Sequence, residues 1–265
     1  MRSIRLVARL CLLSVMTGAV FSAWLIGKLV TTPSPHLRKR WRRVILLGWA
    51  RMVSLIASMR VEIKGPRPEA PFFLVANHLS YTDIIAFATQ LDCVFIAKSD
   101  IADWPVLGRL AKSVGTIFID RSHYQDIPRV ISLIERTLEQ GYGIVLFPEG
   151  TSSKGDQVLA FHPGLLEPVA RISYPVSFAS ISYNTPPEEK PAHLAVCWWG
   201  DMPFLPHFIE LLRLKRFSAS IRFGEHGIRD QNRKTLARRL RSAVSEQFVP
   251  IVSPEEEEEY DLKVQ

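Results

Sequence analysis

Acidic residues are absent from the first sixty-one positions of this 265-residue chain; Glu62 is the first. Over residues 1–64 twelve Lys/Arg face that one acid, so the front carries about +11 and the rest about −4 of the formal +7. Cysteine is scarce too. Cys11, Cys93 and Cys197 are odd in number, widely spaced and form no Cys-x-x-Cys pair, which excludes a disulfide framework and a zinc site. They read as small buried thiols of a reducing compartment. No Gly-x-Ser-x-Gly elbow occurs, and no internal repeat. Nor are there basic clusters interleaved with base-stacking aromatics, so nucleic acid is not an expected partner. What is present is ordinary globular material: 47% hydrophobic residues, enough for one substantial core with an appendage.

The appendage is the front. Leu10–Gly27 runs eighteen residues without a charge, preceded by Arg2, Arg5 and Arg9 and followed by Lys28 and the run Arg38, Lys39, Arg40, Arg42, Arg43. Trp24, Lys28 and Leu29 occupy the place where a signal-peptide cleavage site belongs. A second apolar stretch, Val44–Met59, carries Arg51 near its middle, and Thr31–Pro35 breaks the two. With positive charge on both flanks of the first run, both ends favour the same side of a membrane. Residues 1–60 are therefore expected to form a membrane-associated helical pair dipping into one leaflet; a single span by the first helix is the alternative. The basic residues suit anionic lipid head groups and argue against deep burial of this segment.

After Gly65-Pro-Arg-Pro68 the pattern changes. Phe72–Ala76, Val94–Ala97, Thr116–Ile119, Ile144–Phe147, Val176–Ser182, Leu194–Trp199 and Ser220–Phe223 read as strands. Asp83–Gln90, Val106–Ser113, Ile127–Gln140, Gly164–Ile172 and Asn232–Phe248 read as helices. The alternation predicts an α/β fold over residues 61–250, a mixed, mostly parallel sheet layered with helices, whose chemistry gathers at the carboxyl ends of strands. Residues 251–265 form an acidic tail around Glu255–Glu259, a solvated end.

Three strand ends carry reactive side chains. After the Phe72–Ala76 strand comes Asn77-His78-Leu79-Ser80-Tyr81-Thr82-Asp83. A loop His and a first-turn Asp can meet if the chain folds back, the carboxylate holding one ring nitrogen protonated and leaving the other as a base. Ser80 and Asp83 also fit a helix capping box, the bland reading of that Asp. Phe147-Pro148-Glu149-Gly150-Thr151-Ser152-Ser153 puts an acid beyond the most apolar strand, where a plain turn would serve as well. Gly115-Thr116-Ile117-Phe118-Ile119-Asp120-Arg121 delivers a guanidinium able to grip a phosphate or carboxylate. His193, His207 and His226 have no ligand spacing, so no metal is expected.

In this order and approximate spacing, the three segments resemble the glycerolipid acyltransferase family, which includes bacterial 1-acyl-glycerol-3-phosphate acyltransferases. The likeness covers about residues 61–225, with Tyr174-Pro-Val-Ser177 and Ala97-Lys98-Ser99…Trp104-Pro105…Gly108 as further blocks. It implies transfer of a fatty acyl group from acyl-CoA or acyl carrier protein, as a substrate and without a cofactor, to a lysolipid hydroxyl. It implies His78 as base, Asp83 as its orienting partner, Arg121 as a head-group residue, and Glu149, Gly150 and Thr151 as the acceptor loop. The partner would be membrane lipid, at the cytoplasmic face of the cell membrane. Two departures stand out. Phosphate-acceptor members often carry Arg where Ser152 stands, and Phe-Lys-x-Gly where Phe161-His162-Pro163-Gly164 stands. The Ser form, with Trp199-Gly-Asp-Met202…Pro206-His207, looks closer to lyso-ornithine-lipid-type acyltransferases. A membrane-anchored lipid-binding protein with a dead site is the rival reading; Trp198-Trp199 and Arg229–Arg241 fit core packing and a solvated helix face.

Overall fold

The structure, a computed structural model, describes residues 2–31, 34–104, 107–120 and 127–252. Two long helices come first, α1 (Arg2–Thr31) and α2 (Pro35–Ala57), followed by β1 (Met59–Lys64), β2 (Phe73–Ala76), α3 (Thr82–Ala88) and β3 (Cys93–Lys98). A 3-10 turn, Ser99–Asp103, leads to α4 (Leu107–Ser113), β4 (Ile117–Ile119), α5 (Ile127–Glu139) and β5 (Gly143–Leu146). Then come α6 (Pro163–Arg171), β6 (Val176–Asn184), α7 (Ala192–Ala195), α8 (Phe204–Arg213), β7 (Phe217–Phe223) and α9 (Arg233–Gln247). The seven strands lie in the order β1-β7-β6-β2-β5-β3-β4, with β6–β7 antiparallel and the other neighbours parallel. This is the mixed, mostly parallel α/β sheet that the alternation predicts.

Central strands buried on both sides explain why β2 and β5 read as unbroken apolar runs. Along β2, Leu74 and Ala76 join the core beneath α2, α3 and α8, while Phe73 and Val75 join the core beneath α5, α6 and α9. The period of two thus divides one strand between two hydrophobic layers.

The front pair is packed, not trailing. Ser34 caps α2 by accepting the Leu37 N–H, with Pro35 in the first turn, so the basic run Arg38–Arg43 is helical rather than linker, and α2 starts well before Val44. The two helices run against each other: a Cβ on Gly27 would overlap the Trp41 ring, and Trp49 Nε1 donates to Thr17 Oγ1 at 3.2 Å. Against the expectation that basic residues here avoid burial, Arg9 and Arg42 are both buried. Arg9 donates to the carbonyls of Leu212 in the last turn of α8 and of Leu214 and Lys215 just past it, at 2.9, 2.6 and 3.2 Å, and to Ser58 Oγ. Arg42 pairs with Asp92 at 2.8 Å, donates to the Cys93 and Val114 carbonyls, and lies over the Tyr142 ring. Exposed carbonyls at helix and strand ends are acceptors that water would otherwise serve, and a five-donor guanidinium takes them up when buried. Elsewhere on the pair the surface is oily. Ile4, Val7, Leu12, Val15, Leu25, Ile26, Leu29, Val30, Leu37, Val44, Met52 and Leu55 are all exposed.

Two local expectations fail. Leu194–Trp199 is not a strand: one turn of helix, α7, is followed by irregular chain whose Ala195, Val196 and Cys197 are buried against the core. Its backbone partners are loops rather than a ladder, so burial alone made the run apolar. The second error is at the end of α2, where Ser58 takes a left-handed φ of 56°. The helix stops there, and Met59–Lys64 becomes an edge strand with alternating burial. The acidic tail beyond residue 252 and positions 121–126, with Arg121 among them, lie outside the described residues.

Candidate active site

Asn77 ends β2 by hydrogen bonding both backbone groups of Ile181 on β6, its Nδ2 to the carbonyl at 2.9 Å and its Oδ1 from the N–H at 2.8 Å. The pairing carries β2's register one residue further, so the next residue, His78, leaves the sheet at a fixed height. Its ring stacks on Phe147 just after β5, centroids 4.3 Å apart and planes 13° from parallel.

The chain turns back as α3 begins, and Asp83 Oδ2 meets His78 Nδ1 at 2.7 Å. That same oxygen accepts the N–H groups of Leu79 at 2.7 Å and Ser80 at 3.1 Å, while Oδ1 accepts the Tyr183 hydroxyl at 2.6 Å. Tyr183 in turn accepts from Thr82 Oγ1 at 3.0 Å. The return bond from Asp83 to the Ser80 N–H is half of a capping box, so the bland and chemical readings of this Asp hold together. Asp83 is fully buried and the imidazole is 21% exposed. A carboxylate only accepts, so Nδ1 carries the proton and Nε2 keeps its lone pair.

Three loops close around this pair. Ser153 N–H donates to the His78 carbonyl at 3.0 Å, and Trp198 N–H donates to the Leu79 carbonyl at 2.8 Å. The Trp198 carbonyl accepts from Ser152 Oγ. Trp198 therefore bridges the two strand-end loops through a single residue. Tyr81 donates or accepts with His207 Nδ1 at 3.0 Å and sits among Trp198, Phe204 and Phe208.

The Glu149 loop divides its residues. Gly150 adopts a φ of 76°, open to glycine at little cost, and Thr151 is exposed. The Glu149 side chain points inward and is buried; Oε1 accepts the Leu159 N–H at 3.3 Å, and Oε2 has no partner among the described residues. Burial pushes its carboxyl up to about 8; the Asp83 charge adds to this, and the backbone N–H groups of His78 and Leu159, with Arg241, oppose it. Among the described residues no group of three His, Cys, Asp or Glu could hold a metal ion.

Of the residues singled out from sequence, His78 and Asp83 touch, Glu149, Gly150 and Thr151 lie on the adjoining loop, and Arg121 is outside the description. Tyr183 and Trp198 were missed as site residues. Tyr183 lies a hundred positions from its carboxylate, and its one sequence cue is a phenol at the end of an apolar strand.

Comparison with known proteins sets this geometry in context. A family model described as Acyltransferase matches residues 58–182. The chain is 32% identical over 221 residues to a lyso-ornithine lipid O-acyltransferase of Brucella abortus, covering 78% of this chain and 83% of the relative. A Pseudomonas aeruginosa protein of the same description is 30% identical over 253 residues, 92% and 91% of the two chains. A 1-acyl-sn-glycerol-3-phosphate acyltransferase of Neisseria gonorrhoeae is 36% identical over 132 residues, 49% of this chain and 51% of the relative. The crystal structure of the 1-acyl-sn-glycerophosphate acyltransferase PlsC from Thermotoga maritima shares the fold, with a TM-score of 0.61 at 17% identity over 93% of this chain and 97% of that one.

Proposed function

Because the chain belongs to the acyltransferase family, we propose that it moves a fatty acyl group from a thioester onto the hydroxyl of a lysolipid, with lyso-ornithine lipid as acceptor. The observation that carries the reading is the 2.7 Å contact between His78 Nδ1 and a buried, fully hydrogen-bonded Asp83. Such an imidazole presents Nε2 as a base. Nε2 takes the proton of the acceptor hydroxyl while its oxygen bonds to the thioester carbonyl carbon. The tetrahedral intermediate then collapses as the carbon–sulfur bond breaks, and the proton returns from His78 to the departing sulfur. Electrons balance without a cofactor. Acyl-CoA or acyl carrier protein supplies the thioester as a substrate.

Acceptor choice is supported from two sides. The long-coverage sequence relatives above carry the lyso-ornithine description, whereas the Neisseria glycerophosphate acyltransferase aligns in sequence with half of this chain. Ser152, in the place where phosphate-acceptor members often have Arg, has its hydroxyl committed to the Trp198 carbonyl, so it brings no positive charge to the acceptor loop. Arg121, Gly150 and Thr151 are assigned to the acceptor head group in this reading, and Glu149 to shaping the loop from beneath.

Membrane association fits α1, which is long and apolar enough to cross a bilayer. At about 1.5 Å per residue its thirty residues reach roughly 45 Å. Yet α1 lies along α2, Arg9 is bound beyond α8, and Lys39 and Arg42 of α2 are bound at the opposite end of the pair. We therefore favour a pair lying in one leaflet, at the cytoplasmic face, over a spanning helix.

The test is turnover by the full chain in vesicles, with lyso-ornithine lipid and lysophosphatidate each offered against acyl-CoA and acyl carrier protein. We expect faster transfer to lyso-ornithine lipid, and a loss of about 10³-fold in His78→Ala with folding unchanged by circular dichroism. Undiminished transfer by His78→Ala would refute the assigned base; preference for lysophosphatidate would overturn the acceptor.

A further inference from the structure

Outside α1 and α2, Leu205 is the most exposed large apolar side chain among the described residues, at 63%. It does not stand alone. Met202 to Ile209 are eight residues without a formal charge, and Leu205 sits between two exposed prolines, Pro203 and Pro206, in the first turn of α8. On its inner side the same turn backs onto the catalytic loop: Phe204 packs edge-on against Tyr81 at 5.1 Å between centroids, and His207 hydrogen bonds the Tyr81 hydroxyl at 3.0 Å. Tyr81 is two residues from Asp83. At its other end α8 is held by the front pair, the Arg213 carbonyl by Arg5 and the chain beyond by Arg9. One short helix thus joins an oily surface helix to the loop that carries the chemistry.

Prolines on either side restrict the backbone that presents Leu205, so exposing it here loses little conformational freedom on insertion. A lone exposed leucine is unremarkable. An uncharged, stiffened turn that opens a helix packed on α1 and lies directly behind the reacting loop is a coherent surface. We propose that the Met202–Pro206 turn is a second lipid contact, inserted into the bilayer surface beside α1, which seats the cleft's rim among the acyl chains of its acceptor. The occupant is the apolar layer of a bilayer; α8 packs against α1, whose free side carries exposed apolar side chains, and that argues for it over a second protein copy.

The contact is tested by Leu205→Cys in a Cys11→Ala background, since Cys93 and Cys197 are buried and Cys11 is exposed. A bimane label at position 205 is read on vesicles of phosphatidylethanolamine and phosphatidylglycerol bearing brominated chains. Quenching on vesicle-bound protein is the expected result. An unquenched label on protein that pellets with vesicles overturns the proposal. So does a label buried without lipid by self-association, seen in sedimentation at rising protein concentration.

A second arm rests on the lysolipid reading. Leu205→Asp is expected to lower transfer to a vesicle-embedded lysolipid about tenfold while leaving a short-chain, water-soluble acceptor within about twofold. Equal loss on both acceptors marks Leu205 as structural and overturns the proposal. If the unaltered chain turns over neither acceptor, the activity reading falls, and the quenching arm decides the lipid contact by itself.

Discussion

Two acids are buried beside one imidazole, and they are housed differently. Asp83, after β2, is served by four donors: His78 Nδ1, two backbone N–H groups and the Tyr183 hydroxyl. Glu149, after β5, has a long hydrogen bond from the Leu159 N–H on Oε1, some help from the His78 N–H, and no partner for Oε2 among the described residues. Depth alone does not separate them, since both are almost wholly withdrawn from solvent. The donor set does. An acid given enough donors can lie buried as a carboxylate that orients a base; one without them is pushed towards its neutral form. The two strand ends look equally site-like in sequence, but they suit different work.

The sharpest way to break this contrast is to remove charge from the well-served acid. Asp83→Asn keeps the shape and takes away the charge that stabilises the imidazolium as it forms, and kcat is expected to fall roughly 10³-fold. A variant retaining a tenth or more of the activity would mean that Asp83 only caps α3.

Glu149→Gln is expected to act on stability. With a folded pKa of about 8 against an ordinary 4.5, the folded state holds a proton that the unfolded chain has given up. Stability contributed by that proton is fully present below about pH 4.5 and lost as pH rises through about 8. The conversion of 1.36 kcal/mol per unit sets an upper bound of about 5 kcal/mol on this loss. Chemical denaturation from pH 5 to 9 should show the wild type weakening and Glu149→Gln nearly flat. Parallel pH profiles would show that Glu149 is ionised in the fold.

The smallest expected effect is that of Tyr183→Phe. Losing one of four donors leaves more of the carboxylate's charge directed at His78, which favours the imidazolium and moves the acid limb of the kcat profile to higher pH. A drop of about tenfold in kcat with KM little changed is expected from one lost hydrogen bond to a charged group. A change in melting temperature with an unmoved pH profile would make Tyr183 a packing residue only.

Local pattern made much of this legible. β2 and β5 are short apolar runs ending in polar loops, and a His and an Asp spaced across a strand-to-helix turn can be foreseen to meet. Long-range partners leave no such mark. Tyr183 and Trp198 reach the site from β6 and from the chain after α7, and nothing near them in sequence points to His78. Leu194–Trp199 misled because buried irregular chain is as apolar as a strand. Arg9 and Arg42 misled for a related reason. A cation near an oily helix has the same local signature whether it meets lipid or caps the ends of α8 and β3.

Those two guanidinium groups also fix a distance. If the front pair were joined to the sheet by a slack tether, the reacting imidazole could drift towards or away from the lipid surface, and each encounter with acceptor would begin with a search. Bolted at both ends, the pair and the cleft move as one, so in the proposed one-leaflet placement an acceptor sliding laterally would meet the base at a preset depth. Cutting away residues 1–60 would strip Arg9 from three carbonyls and take Leu46, Ala50 and Ala57 out of the buried core, leaving an injured core in place of a free-floating enzyme.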